Sequence, residues 1–319
     1  MRSNIISRNL FFVAILFLAI ISLSAFLLSH LYSTSIPVVE VQPPRVRLGK
    51  VIESAVAISS KGSLIRLSGQ EENNSDLTPS KNKDFMIGLW VRPGTLPEDG
   101  KRIEILSRLS GKGKNPAGYA LSFARLSSEV YPVLYWKDSK GKGGWYQFET
   151  FRFSPKRWVF IGFSFYDNRY LGVYTARYTT DGQLEVRSNG GYELGIEVFP
   201  DSVGPLEVGS VIRRGFLGKI GSVGVFTPEN LSRRVQTIFT QFVEDPMSVP
   251  SELKETEVVT WFSPSDNPVA NEQDGKKSQG SQSQAVQFIG NATIERKGDH
   301  QKKKQLEKQL NRQLKGKSQ

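Results

Sequence analysis

Residues 84–93 read Asp84-Phe85-Met86-Ile87-Gly88-Leu89-Trp90-Val91-Arg92-Pro93. Phe85, Ile87, Leu89 and Val91 form one face that is apolar throughout, with Trp90 opposite. Alternate side chains of a strand share a face, and apolar groups on both faces mark a strand covered from both sides. Pro93-Gly94 closes the run as a turn. Residues 158–166 (WVFIGFSFY) repeat the pattern: Trp158, Phe160, Gly162 and Ser164 alternate with Val159, Ile161, Phe163 and Phe165. These are the central strands of a stacked arrangement.

Outward from this pair, the chain between about 62 and 226 breaks into further short runs rich in Val, Ile, Phe, Tyr and Trp. They cover 63–68, 102–109, 118–125, 130–136, 145–153, 170–178, 184–187, 205–209 and 219–226. Turn residues separate them, among them Lys140-Gly141-Lys142-Gly143-Gly144, Asp167-Asn168 and Asp181-Gly182. Short connections of this kind predict antiparallel hairpins, and no long helical period interrupts them. The reading is an all-β, two-sheet antiparallel sandwich over 51–262. A helix over about 228–243 follows the last of these runs, with Thr227 as its cap and Pro228 in its first position. Its stripe of Leu231, Val235, Ile238, Phe239 and Phe242 is expected to pack on the sandwich edge, and Asp245-Pro246 ends it. Residues 257–262 (EVVTWF) read as an edge strand, with 285–289 and 292–295 as short returning strands inside a polar, basic region, 263–319, that is otherwise read as flexible.

The 84–93 stretch resembles the corresponding strand of laminin-G-like and pentraxin-like domains. So do Ile105-Leu106-Ser107-Arg108, Gly118-Tyr119-Ala120-Leu121, Arg157 to Phe163, Gly204 to Gly209 and Phe216 to Phe226, in the family's order and spacing over about half of the chain. The resemblance implies a jelly roll of the concanavalin A-like superfamily, a fold that hosts lectins, glucanases and adhesion modules alike. It also implies Ca2+ at the sandwich rim, as many relatives bind it there. Asp138, Asp167, Asn168, Asp181 and Asp201 are loop residues with oxygen ligands, but their spacing forms no ligand set.

Composition removes whole classes of chemistry. The 319 residues include no cysteine, which excludes a disulfide scaffold, a thiolate zinc site and a cysteine nucleophile. That absence is compatible with a bacterial envelope protein. The only two histidines, His30 and His300, flank the sandwich segment, so it holds no histidine base or triad. Of the formal +11, the stretch 275–319 carries +8, from 11 Lys/Arg against 3 Asp/Glu. Its end, HQKKKQLEKQLNRQLKGKSQ, is a basic tail suited to an anionic surface rather than to reading nucleic acid.

Leu10 to Tyr32 is an apolar run without a charge before His30. At about 1.5 Å per residue it is long enough to span a lipid bilayer as a helix. Arg2 and Arg8 precede it, and the next cations are Arg45 and Arg47. The more positive near flank places the N-terminus in the cytoplasm and the sandwich outside. The alternative is a signal peptide cleaved near Ser22, Ser24 and Ala25. Residues 1–32 are thus a membrane anchor, and 33–50, with Pro37, Pro43 and Pro44, an extended spacer.

Glucanases of this fold need carboxylates at Glu-x-Asp-x-x-Glu spacing along one strand. The only Glu-x-Asp here is Glu272-Gln273-Asp274, in a polar stretch without the following Glu. The chain is therefore read as non-catalytic. The favoured ligand-binding edge is the 136–146 hairpin, through Trp136, Lys140, Lys142, Trp145 and Tyr146: rings flanked by cations can stack on sugars or grip acidic polymers. The expected role is an anchored extracytoplasmic module for a glycan or envelope protein ligand; a structural part in an envelope complex is the second reading.

Overall fold

The alternation that defines 85–93 produces a strand whose two faces meet different layers. In the computed structural model, residues 45–47, 50–69, 72–80, 83–110, 116–126, 129–148, 153–167, 169–179, 183–193, 200, 202–209, 215–265 and 286–296 are described. The first sheet contains β1 (Arg45–Arg47), β2 (Ser54–Ile58), β4 (Phe85–Pro93), β9 (Val159–Tyr166), β10 (Tyr170–Tyr178), β11 (Leu184–Glu193), β13 (Gly218–Phe226), β14 (Val258–Phe262) and β16 (Ala292–Arg296). Its order is β1-β11-β10-β9-β4-β13-β2-β16. β14 pairs with β13 along Val223–Phe226, beyond the stretch of β13 that pairs with β2. The second sheet contains β3 (Leu64–Leu67), β5 (Arg102–Ser110), β6 (Ala117–Leu126), β7 (Glu129–Lys137), β8 (Gly143–Gln147), β12 (Leu206–Gly209) and β15 (Val286–Ile289), in the order β15-β3-β12-β5-β6-β7-β8. The named strand pairs are antiparallel.

Phe85, Ile87, Leu89 and Val91 face the second sheet together with Val159, Ile161, Phe163 and Phe165. Trp136 and Tyr119 meet them from the other side; the Trp136 ring lies 5.3 Å from Phe165 and 6.0 Å from Phe163. Met86, Trp90 and Phe160 point the opposite way, into a second apolar cluster. That cluster is closed by helix α1 (Leu231–Glu244), through Leu231, Val235, Ile238, Phe239, Phe242 and Val243. The expected stripe therefore buries, but over the middle of the first sheet rather than at a sandwich edge.

Three glycines explain this seat. Gly224, Gly88 and Gly162 are cross-strand partners on β13, β4 and β9, so they form a row across the sheet. Trp261 and Tyr174 end the row, pairing with Gly224 and Gly162. The missing side chains leave a valley that the helix fills. A Cβ on Gly162 would come within 2.3 Å of the Phe239 ring, and one on Gly88 within 3.0 Å of the Phe242 ring. Phe239 stacks on Tyr174 at 3.9 Å, and Phe242 lies 5.0 Å from Trp261 and 5.1 Å from Phe160.

The helix starts three residues later than Thr227-Pro228 suggests. Asn230 holds a left-handed conformation (φ 53°) and offers no side-chain cap. The cap comes from β4's flank: Asp84 accepts the Leu231 N–H at 2.8 Å and the Asp167 N–H at 3.1 Å. Burial raises the Asp84 pKa against the pull of these two bonds.

The ends of the domain lie further out than 51 and 262. β1 falls within the segment read as a spacer and pairs with β11. β15 and β16 coincide with the two short returning strands read at 285–289 and 292–295; β15 adds to the second sheet beside β3, and β16 to the first beside β2. Among the described residues no helix is long and apolar enough to cross a membrane. The run 10–32, the basic tail 300–319 and Glu272-Gln273-Asp274 lie outside the described residues.

Candidate functional site

The β7–β8 hairpin is built by its turn. The Asp138 N–H donates to the Lys142 carbonyl at 2.9 Å, and Asp138 Oδ1 accepts the Lys142 N–H at 2.7 Å. Gly143 has φ 106°, and a Cβ there would sit 2.1 Å from the Trp136 carbonyl oxygen, so only glycine fits. Lys140 and Lys142 project as exposed residues at this tip.

From the turn, the two-residue period sorts the aromatic rings. Trp136 points into the core between the sheets and is 0% exposed. Tyr146, next to Trp145 in sequence, also packs against that core, and burial raises its pKa. Both are therefore removed from the set of surface rings suggested by the sequence. Trp145 is 44% exposed on the outer face of the second sheet. Its cross-strand partner is Tyr135, with ring centroids 4.9 Å apart. The Tyr135 hydroxyl donates to the Pro116 carbonyl at 2.7 Å, which fixes the pair.

Arg102, on β5, lays its guanidinium carbon 3.9 Å from the centre of the Trp145 ring. β5 and β8 are separated by β6 and β7, a span of about 14 Å at the usual strand spacing. Both side chains must therefore lean over the intervening strands. Beneath them β6 presents Ala120, Ser122 and Ala124, and β7 presents Val133 and Tyr131 as their cross-strand neighbours. Tyr135 becomes legible as a partner of Trp145 only once strand parity is fixed: with Trp136 inward, Tyr135 must face out.

The same face carries carboxylates toward β12. Glu207 accepts from Arg66 Nη2 at 2.7 Å, and Glu104 accepts from Ser107. Burial pushes the Glu104 pKa up, and the nearby Glu207 charge adds to that. Asp138 is taken up in its turn, and the Asp167 N–H is bound to Asp84. Among the described residues no three His, Asp or Glu side chains converge as a metal site. Asn168, Asp181 and Asp201 lie outside the described residues.

No family model matches this chain. No curated protein matches it either. Among solved structures it is similar to the enzymatically active domain of bacteriophage CBA120 tailspike protein 2. That match has a TM-score of 0.42 and 12% identity, over 69% of this chain and 32% of the tailspike chain. It is similar to the botulinum neurotoxin serotype G binding domain, with a TM-score of 0.36 and 15% identity, over 65% of this chain and 47% of that one. It is also similar to Scytalido-glutamic peptidase, with a TM-score of 0.28 and 9% identity, over 56% of this chain and 82% of that one. The chain thus spans less than half the length of the tailspike and toxin chains. Likenesses this loose carry no statement about function.

Proposed function

We propose that the chain is a non-catalytic binding module of the concanavalin A-like superfamily, held at the outer side of a membrane, that recognises a glycan through the Trp145 face. The observation that carries the reading is the exposed indole on the outer face of the second sheet, held in place by Tyr135 and Arg102. A fixed aromatic face with polar neighbours suits the apolar face of a pyranose ring. Only a few well-placed residues need contribute most of the binding energy.

A glycan array probed with the full-length chain tests this. The parent is expected to bind at least one saccharide class without consuming it, and Trp145→Ala to weaken that binding at least 100-fold. Thermal unfolding of the variant should stay close to the parent's, because the ring stands on the outer face and is already 44% exposed. An array with no positive saccharide removes the reading, and turnover of a bound saccharide removes its non-catalytic part.

Placement outside the membrane rests on the apolar run 10–32 and its positive near flank. Protease added to intact cells whose outer layers have been opened is expected to digest the sandwich. Protection until the inner membrane is lysed would place it in the cytoplasm.

A further inference from the structure

The charges around Trp145 are unevenly spent. Lys137 leaves β7 on the same face as Tyr135, and its Cε lies 3.7 Å from where a side chain on Gly141 would begin, so it runs along the turn. Lys140 and Lys142 stand at the tip. None of these three lysines makes an ion pair among the described residues. Between Lys137 and Gly143 the single carboxylate is Asp138, against three lysines, and the nearby carboxylates each have a partner in the fold. Asp138 Oδ1 holds the Lys142 N–H, Glu129 accepts the Tyr131 hydroxyl at 2.6 Å, and Glu207 is bound by Arg66. Glu104, two residues from Arg102, accepts from Ser107 and is moved toward its neutral form by burial. A local surplus of positive charge beside a ring concentrates anions there.

We propose that this face binds an acidic saccharide, a chain bearing uronic-acid carboxylates, with Trp145 stacking on a sugar ring and Lys137 and Lys142 meeting the carboxylates. The proposal rests on the reading of Trp145 as a sugar platform and specifies the class of sugar. A single indole suits one pyranose ring. Sequence-tolerant nucleic-acid binding uses a series of stacking rings along a groove. The other exposed large apolar residues described, Val51, Val203, Val249 and Phe288, are not aromatic neighbours of this face: the first three are aliphatic, and Phe288 is on β15, at the opposite edge of the sheet from β8.

The test uses the full-length chain and an array of oligosaccharides in matched pairs, each uronic-acid chain beside its carboxyl-reduced neutral counterpart, with a single-stranded oligonucleotide as competitor. Acid members are expected to bind at least 10-fold more tightly than their neutral partners. The double variant Lys137→Ala/Lys142→Ala should bring that ratio toward one, with an unchanged unfolding midpoint. Equal binding of both members would overturn the acidic class while leaving the sugar platform standing. Binding to no saccharide would overturn both. An oligonucleotide bound more tightly than every acid chain would also overturn the proposal, in favour of nucleic acid.

Discussion

Phe239→Ala is expected to destabilise the domain by about 3–5 kcal/mol, the usual range for emptying a buried phenylalanine site. The ring is 2% exposed, stacks on Tyr174 and meets Phe160 edge-on at 5.9 Å. Its floor is Gly162, which offers nothing that could move in to fill the gap. The converse change, Gly162→Val, forces a branched side chain into the volume the ring holds, and overpacking of this kind costs about 1–3 kcal/mol. The two changes should not add. In the double variant the valine occupies part of the space that the phenylalanine vacates, so the pair should be more stable than the sum of the single effects by about 1 kcal/mol or more. Chemical denaturation followed by tryptophan fluorescence reads all four proteins, since Trp90 and Trp261 border the same cluster. Full additivity would mean that the helix does not sit in the glycine valley. A parent-like Gly162→Val variant would mean the same.

That valley shows what a sequence of this kind yields and what it withholds. The strands could be read because a two-residue period is a local property, and β4 and β9 each carry it without interruption. The stripe of α1 was legible for the same reason. The partner of the stripe was not, because Gly224, Gly88 and Gly162 become a row only when three strands are set in register. β2 (SAVAI) is not legible as a strand: only Val56 and Ile58 are large, with a serine and two alanines around them, although all five residues are buried. The Asp84 cap joins groups 147 positions apart, beyond any local pattern. At the candidate site, parity was the missing piece. Trp136 and Trp145 look equivalent as aromatic residues flanking a basic turn, yet Trp136 pairs with Gly144 and points inward while Trp145 pairs with Tyr135 and points out. Arg102 enters from a strand more than forty residues earlier and carries no mark in the sequence of its role.

Glu257→Gln is expected to cost about 3 kcal/mol at neutral pH and to cost far less in acid. Glu257 is 3% exposed and gathers four donors. Arg234 Nη1 donates to Oε1 at 2.6 Å and Nη2 to Oε2 at 3.0 Å, while the Glu229 and Lys254 N–H groups each donate at 2.9 Å. These bonds tie the first turn of α1 to the segment that leads into β14, whose Trp261 closes the glycine valley. Burial by itself opposes ionisation, but the Arg234 bonds and charge together with the two backbone donors outweigh it and bring the carboxyl to about 2, from an ordinary 4.5. The folded state therefore binds this proton more weakly than the unfolded chain does, so the contribution is present in full above about pH 5 and is lost as pH falls toward 2. The interval between the two values corresponds to about 3 kcal/mol, close to the cost of breaking a buried ion pair by removing one partner. Denaturant unfolding of parent and Gln variant at several pH values between 7 and 2 gives the difference directly, with the other acid-sensitive groups common to both. A gap of about 3 kcal/mol that narrows steadily below pH 4.5 supports the assignment. A gap that stays constant down to pH 2 would show that the carboxylate's charge plays no part in holding helix and strand together.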